Sequence, residues 1–269
     1  MNPSVPPEHE RTASPAAELR LLALPGIPLV TEGQDIASLI LDALIACGET
    51  LRDGDLLVIA QKIVSKAEGR AVRLAAVTPS ARAIALAKET GKDPRLVELI
   101  LGESDEVLRY RRDVIVVAHR LGFVLANAGI DQSNVGSEPK DADALLLPRD
   151  PDGSCSALRA TLRRRTGADI GVVINDSHGR AWRNGTVGVA LGVAGLPALV
   201  DLRGCHDLYD RALRITEVGF ADELAAAASL LMGQSNEGRP IVLARGVPYA
   251  RRDGSARELL RSRENDLFR

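Results

Sequence analysis

Residues 168–195, ADIGVVINDSHGRAWRNGTVGVALGVAG, are the stretch of this chain that decides its fold. The apolar, β-branched run from Ile170 to Ile174 is typical of a short buried strand. We predict that this strand ends where four polar residues follow it: Asn175, Asp176, Ser177 and His178. A glycine-spaced apolar segment comes after them. The stretch therefore predicts a central strand with polar side chains at its end.

The polar residues of this stretch allow two interpretations. Asp176 and Ser177 offer oxygen atoms, the ligand atoms that hard cations such as Mg²⁺ prefer. Arg180 and Arg183 flank the only tryptophan, Trp182, and could hold phosphate or carboxylate groups through paired N–H donors. A polar strand end that turns into a surface loop would contain the same residue types without any ligand. The spacing alone leaves both interpretations open.

Composition narrows the class of protein. The 269 residues are 45% hydrophobic and 26% charged, which is typical of a globular protein with a substantial core. A net charge of -2 argues against nonspecific binding of nucleic acid. No apolar run approaches the ~20 residues that a membrane-spanning helix needs. The three cysteines lack the spacing of a disulfide framework or a metal site. We therefore predict a cytoplasmic protein without nucleic-acid or membrane partners.

The order of the predicted elements indicates the fold class. Residues 1–18 contain four prolines and several charges, so we predict a disordered tail there and one domain over residues 19–269. Helices and strands alternate after it, but not as a regular series of βαβ units, and this favours an α+β fold with a mixed sheet. Capping residues predict helices that begin at Asp35, at Asp93, and at Asp152 or Ser154.

Two further strands are followed by polar residues. The predicted strand Leu56–Ala60 leads into the basic cluster QKIVSKAEGR at residues 61–70, which suits either anion binding or a solvated loop. The runs Val114–Ala118 and Leu121–Ala126 predict either a hairpin or two paired strands, and Asp131 follows them. A lone aspartate in a glycine-containing loop is usually a turn residue. Two strands that each deliver an aspartate favour convergence of Asp131 and Asp176. Neither the P-loop nor the G-x-G-x-x-G pattern is present.

Six motifs span about residues 24–268: QKIVSKAEGR, NAGIDQSNVG, LLPRDPDGSCSALR, VVINDSHGRAWRNGTVGVALGVAG, DLYDRALRITEVGFADELAAAASLLMG and ENDLF. Together they resemble the coenzyme F420-0:γ-glutamyl ligase family, in its single-domain form. The flavin-binding C-terminal domain of the two-domain relatives is not expected here.

The resemblance implies an activity and its partners. The expected reaction is GTP-dependent formation of an amide bond between L-glutamate and the phospholactyl end of coenzyme F420-0, a deazaflavin precursor, in coenzyme F420 biosynthesis. The expected cofactors are Mg²⁺ or Mn²⁺, with K⁺ as a stimulating ion and GTP as a co-substrate. The family also implies an intertwined homodimer with a mixed-sheet fold of its own.

The resemblance further implies three sets of site residues. The expected metal ligands are Asp131, Asp176, Ser177 and Gln234. The residues expected to act in catalysis are Asp131, Asp176 and Lys66. The expected nucleotide contacts are Ile27, Pro28, Leu29, Val30, Gln61, Lys62, Lys66, Asn134, Met232, Gly233, Gln234, Ser235, Asn236, Glu237, Gly238 and Arg239.

Two residues depart from the family pattern. Ser177 stands where many relatives have Thr, and it keeps the hydroxyl. Gln234 stands where some relatives have Glu, so one negative charge is missing, although an amide oxygen still ligates Mg²⁺ more weakly. We assign no catalytic role to His178 or Trp182. Arg180 or Arg183 is a candidate to hold the phosphate of the precursor or the incoming glutamate.

Two other functions use the same residues. A metal-dependent nucleotide phosphohydrolase would release phosphate from GTP without glutamate. A non-catalytic module would bind the nucleotide or the deazaflavin without turnover and would tolerate Asp176→Asn. Convergent strand-end groups favour an enzyme over a binding module.

Overall fold

A computed structural model describes residues 17–135 and 143–267 of the chain. Most of the predicted tail, residues 1–16, and Phe268 at the end of the ENDLF motif lie outside these residues. The division into a tail and one domain over residues 19–269 stays a prediction. In the described part, no helix has both the length and the apolar character needed to cross a bilayer.

Strands and helices alternate along the described chain. The strands are β1 (Arg20–Ala23), β2 (Leu56–Ala60), β3 (Ala71–Arg73), β4 (Ser104–Arg111), β5 (Val114–His119), β6 (Val124–Ala126), β7 (Asp143–Leu145), β8 (Gly171–Arg180), β9 (Arg183–Ala194), β10 (Val200–Asp201), β11 (Glu217–Val218) and β12 (Ile241–Arg245). The α-helices are α1 (Ile36–Ala46), α2 (Gln61–Ala67), α3 (Ala81–Thr90), α4 (Pro94–Gly102), α5 (Pro151–Thr166) and α6 (Phe220–Met232).

A five-stranded sheet in the order β1-β12-β2-β8-β9 forms the centre of the molecule. β2 and β8 run parallel, and the other neighbours in this sheet are antiparallel. The sheet is therefore mixed, as predicted, and the architecture agrees with the α+β class.

The central sheet is covered by helices on both faces. Val172 and Ile174 of β8 belong to the buried cluster that contains the apolar side chains of α1 and α5. Val173, between them, belongs to the cluster formed with α6. Because side chains alternate along a strand, the even-numbered residues of β8 face α1 and α5 and the odd-numbered residues face α6.

The predicted end of β8 is wrong. The strand continues through the polar residues to Arg180, and β9 pairs with it along this length as far as the pair Arg180 and Arg183. Backbone hydrogen bonds make the ladder, so polar side chains extend it wherever a partner strand is present. Asp176 therefore lies inside a β-hairpin, on a rigid element.

A smaller unit of α3, α4 and the sheet β4-β5-β6 packs around its own apolar cluster. The predicted hairpin is confirmed as β5 and β6, which pair antiparallel. β4 was not predicted, because its sequence, SDEVLRYR, is rich in charge. This unit delivers the segment that leads to Asp131.

Helix starts follow the capping residues with one correction. Asp35 and Asp93 cap α1 and α4, as predicted, with carboxylates that accept backbone N–H bonds. α5 begins earlier than predicted, because Asp150 caps it and Pro151 occupies its first position. Asp152 instead accepts a bond of 2.8 Å from the Val193 backbone N–H and ties α5 to β9. Two short 3₁₀ turns, Ala256–Leu259 and Arg263–Asn265, lie near the end of the described chain.

Candidate active site

A cavity of about 510 Å³ lies where β2 ends and β8 passes beside it. The parallel register pairs Ala60 with Asn175, so Gln61 and Asp176 follow at neighbouring points of the sheet. Ligands of α/β sheets characteristically bind beyond the carboxyl ends of such strands. The basic cluster at residues 61–70 forms helix α2 here rather than a loop, and its first turns form one wall of the cavity.

The cavity brings together all the residues expected as metal ligands, catalytic residues and nucleotide contacts, whereas Arg180 and Arg183 do not line it. Their contributions come from the loop after β1, from α2, from the segment after β6, from β8 and from the loop after α6. Their individual roles stay predictions. The nominated residues in the lining are Ile27, Pro28, Leu29, Val30, Gln61, Lys62, Lys66, Asp131, Asn134, Asp176, Ser177, Met232, Gly233, Gln234, Ser235, Asn236, Glu237, Gly238 and Arg239.

Asp131 is held in place by its backbone and its side chain. Its N–H and C=O both bond to Leu145, at 3.0 and 2.8 Å. Gln61 Nε2 donates to one carboxylate oxygen at 2.8 Å, and Lys62 Nζ lies 3.3 Å from the other. Burial raises the pKa of the Asp131 carboxyl, and the charge of Asp176 raises it further, although Lys62 opposes both. The two carboxylates thus repel each other in the cavity that both residues line.

The adjacent residues Asp176 and Ser177 point to opposite faces of β8. Asp176 lies on the even-numbered face, where one of its oxygens is 2.9 Å from His178 Nε2. Ser177 lies on the α6 face, where its hydroxyl donates to Gln234 Oε1 at 2.8 Å. That bond joins β8 to the loop after α6, so three of the predicted metal ligands sit on one rigid hairpin and the loop next to it.

Two lysines of α2 provide positive charge at the same cavity. Lys62 Nζ donates to Ser133 Oγ at 3.0 Å, and Lys66 Nζ donates to the Asn134 carbonyl at 2.7 Å. Burial lowers the pKa of Lys66, and the neighbouring Lys62 lowers it further. Two ammonium groups held close together, opposite two carboxylates, suit a polyanionic ligand that is bound together with a cation.

The oxygen donors fit Mg²⁺ or Mn²⁺. Within residues 17–135 and 143–267, no three His, Cys, Asp or Glu side chains form a metal-binding group, so the donor set is two carboxylates with neutral oxygens. Mg²⁺ is commonly bound by one or two carboxylates together with substrate phosphates and water. Asn175 Oδ1, in the cavity wall, is buried and has no hydrogen-bond partner among the described residues. These features favour a ligand or cation in the cavity.

A second cavity of about 140 Å³, which the sequence did not predict, lies on the even-numbered face of β8. It shares Asp131, Asp176 and Ser177 with the larger cavity. Its far wall includes the turn 127–129, in which Asn127 and Ala128 have φ of 52° and 53°. Non-glycine residues in this left-handed region cost free energy and cluster at functional sites. The sequence contains no local signal for the turn apart from Gly129.

Comparison of the sequence with known proteins shows the family of this chain. A sequence model of the family described as F420-0:Gamma-glutamyl ligase matches residues 26–246. Coenzyme F420:L-glutamate ligase of Methanothermobacter thermautotrophicus is 53% identical over 253 residues, covering 93% of this chain and 99% of the relative. The proteins of the same name from Methanococcus maripaludis (strain C7) and Archaeoglobus fulgidus are 44% and 43% identical, covering 90% and 91% of this chain and 94% of each relative.

The matched region includes the strands, the helix α2 and the loops that line both cavities. The relatives of this chain are named coenzyme F420:L-glutamate ligase, which is the name of an enzyme. The chain therefore belongs to the F420-0:gamma-glutamyl ligase family of enzymes.

Proposed function

We propose that this chain adds L-glutamate to coenzyme F420-0 in a GTP-dependent reaction that proceeds through an acyl phosphate, as a step of coenzyme F420 biosynthesis. The family supports the ligase activity. One observation supports the nucleotide-dependent mechanism: two carboxylates and two lysines from three distant segments line one cavity, and the carboxylates also line a second cavity beside it.

The chemistry explains why such a site needs two cavities. A carboxylate is a poor acyl donor, because attack by an amine must expel an oxide. Phosphorylation by the terminal phosphoryl group of GTP converts that oxide into a good leaving group, which the glutamate amine then displaces. The nucleotide and the carboxyl group must therefore meet from two sides, and the carboxylate pair Asp131 and Asp176 stands at the shared wall.

Positioning and neutralisation of charge dominate phosphoryl transfer. Lys62 and Lys66 would offset the charge of the phosphates from the α2 side of the cavity. Asp131, Asp176, Ser177 and Gln234 would hold Mg²⁺ or Mn²⁺, which supplies further neutralisation when bound. The hydrogen bond from Ser177 to Gln234 keeps two of these ligands together before any cation arrives.

Replacing Gln234 with glutamate is expected to raise the affinity for Mn²⁺ about tenfold, because a carboxylate adds a negative charge to the donor set. Isothermal titration with MnCl₂ measures the change. Gln132→Glu is the matched control, because Gln132 is exposed and lies outside the cavity lining. Equal gains in the two variants, or none in either, would show that Gln234 is not a ligand.

The decisive experiment is incubation of the purified chain with F420-0, GTP, Mg²⁺ and glutamate, followed by mass spectrometry. We expect products heavier by one or more glutamyl residues, with GDP and phosphate formed in step with them. Replacement of GTP by ATP tests the nucleotide preference. Phosphate release without glutamate or F420-0 would favour the phosphohydrolase instead.

The proposal includes a homodimer and stimulation by K⁺, both from the family resemblance. Three apolar side chains between β10 and β11 support a subunit contact, because Leu208, Tyr209 and Ile215 are 79%, 75% and 87% exposed. Light scattering on the purified chain tests the dimer. Initial rates in KCl against tetramethylammonium chloride of equal ionic strength test the role of K⁺.

A further inference from the structure

Asn175 of β8 lies in the wall of the larger cavity, directly before the predicted cation ligands Asp176 and Ser177. The residue is 4% exposed. A buried polar side chain costs free energy unless its polar atoms find partners. The family resemblance assigns no role to this residue, so its polar atoms need an explanation of their own.

Two acceptors on α6 orient the amide group of Asn175. Its Nδ2 donates to Ser229 Oγ at 3.2 Å and to Met232 Sδ at 3.4 Å. A thioether sulfur accepts hydrogen bonds but cannot donate one, so a flipped amide would place its oxygen against an atom that offers no proton. The nitrogen therefore faces the helix, and Oδ1 lies on the other side of the amide group.

The Oδ1 atom of Asn175 is buried and has no hydrogen-bond partner among the described residues. Side-chain donors of the same cavity are already bonded to other residues, among them Gln61, Lys62, Lys66 and Ser177. An acceptor that is left over beside a cavity indicates a partner that arrives with a ligand.

The position of Asn175 limits the chemistry of that partner. Ionised phosphate oxygens carry no proton, so they cannot donate a hydrogen bond to Oδ1. A divalent cation held at Asp176 and Ser177 would keep several water molecules, and water donates hydrogen bonds. Asn175 and Ser177 are two residues apart on β8 and share its α6 face. A water molecule of the cation at this face would meet an acceptor that is already in place.

Building on the proposed function, we infer that Asn175 is a positioning residue for the divalent cation, because its Oδ1 accepts a hydrogen bond from a water molecule that the cation carries. The bond forms only when the cation is present. It therefore adds to the affinity for the cation and not to the stability of the metal-free chain. The nucleoside part of GTP also offers donors, and the experiment separates it from the cation.

Isothermal titration with MnCl₂, without nucleotide, measures the affinity for the cation directly. Asn175→Leu removes the amide and keeps a side chain of similar size. We expect it to raise the Kd for Mn²⁺ about fivefold, through the loss of one neutral hydrogen bond. Titration with GTP in EDTA should give the same Kd for both chains. Ser229→Ala is the matched control, because it removes a partner of Nδ2, leaves Oδ1 in place and should keep the Kd for Mn²⁺.

Thermal unfolding of a second variant, Asn175→Asp, tests the inference even if Asn175→Leu does not fold. We expect its unfolding midpoint to lie below that of the wild type in EDTA, because a buried carboxylate lacks a partner there. Addition of MnCl₂ should raise the midpoint of the variant more than that of the wild type, because the added charge strengthens binding to the folded chain. A purely structural Asn175 would give equal rises.

Three results would overturn the inference: an unchanged Kd for Mn²⁺ in Asn175→Leu, equal rises of the unfolding midpoint, or no binding of Mn²⁺ by the wild type. Weaker binding of GTP in EDTA, with an unchanged Kd for Mn²⁺, would overturn it in favour of a contact to the nucleoside. If the wild type forms glutamyl products while Asn175→Leu binds Mn²⁺ normally, the ligase proposal stands and the inference fails. If Asn175→Leu weakens Mn²⁺ binding but the wild type forms no product, the inference stands and the ligase proposal fails.

Discussion

Replacing Asp176 with asparagine is expected to lower kcat for glutamate addition by at least about 10²-fold, or roughly 3 kcal/mol of transition-state stabilisation. The substitution keeps the shape of the side chain and removes its charge. Asp176 lines both cavities, so its carboxylate lies where GTP and the carboxyl group of F420-0 would meet. Asp131→Asn should have an effect of similar size, because Asp131 shares that wall.

Initial rates of glutamyl product formation at saturating substrates measure this loss. The thermal unfolding midpoint of the variant should stay near that of the wild type, because asparagine can still accept a bond at the position facing His178. Asp210→Asn is the matched control, since Asp210 is exposed and lies outside both cavities. Asparagine also tolerates the left-handed φ of 60° at that position.

The result also separates the three candidate functions. A non-catalytic binding module would bind GTP equally well with either residue at position 176 and would show no turnover. A phosphohydrolase would lose phosphate release in the variant, but its wild type would release phosphate without glutamate. Full glutamyl transfer by Asp176→Asn would contradict the placement of the reaction at the shared wall.

The parts of the fold that the sequence predicts are those with strong local signals. Leu56–Ala60 is a continuous apolar run between turn residues, and the structure has a strand with these bounds. Asp35 and Asp93 cap their helices because a carboxylate next to free backbone N–H groups stabilises the first turn wherever it occurs. Neither feature depends on distant parts of the chain.

The parts that the sequence does not predict depend on tertiary partners. β8 extends beyond Ile174 because β9 pairs with it, and polar side chains hide that extension from any search for apolar runs. Helix α2 could not be told from a loop, because its half-buried lysines, Lys62 and Lys66, suit either one and the sequence does not show that Gln61 and Ser65 are buried. Such elements become visible only when the neighbouring strands are in place.

Part of the candidate site could also be predicted and part could not. The polar residues that follow two predicted strands indicated Asp131 and Asp176, and the family resemblance added the loop after α6 as a nucleotide contact. The second cavity could not be predicted, because its wall depends on the left-handed residues Asn127 and Ala128. No local sequence pattern specifies such a turn, and the packing of β5 and the Ile115 N–H bond to Asn127 Oδ1 hold it in place.

Glu103 is the residue whose loss is expected to destabilise the fold most. Its carboxylate accepts bonds from Arg70 at 2.9 Å and Arg120 at 2.6 Å, and His119 Nε2 lies 3.6 Å away. The side chains of Arg70 and Glu103 are 7% and 9% exposed. Glu103→Ala would leave a buried guanidinium without its partner, which typically costs about 3–5 kcal/mol of unfolding free energy. Urea unfolding at neutral pH measures the loss.

The pH dependence of stability gives an independent check. Burial raises the pKa of the Glu103 carboxyl, but His119, Arg70 and Arg120 outweigh it, so the pKa is lower in the folded chain than its ordinary value of 4.5. The ionised carboxylate therefore stabilises the fold above the pKa of the unfolded chain. That contribution is lost as the pH falls through the folded pKa. The difference in unfolding free energy between the wild type and Glu103→Gln should accordingly narrow below about pH 4.

Glu106→Ala is the control, because Glu106 lies in the same region and also pairs with an arginine. Its side chain is 43% exposed and that of Arg263 is 74% exposed, so the loss should stay within about 1 kcal/mol. Equal losses in the two variants would mean that burial does not strengthen the Glu103 cluster.

Arg70 follows α2 and also donates to the Leu147 carbonyl at 2.8 Å. A loosened Glu103 cluster should therefore also raise the KM for GTP, because α2 carries Lys62 and Lys66.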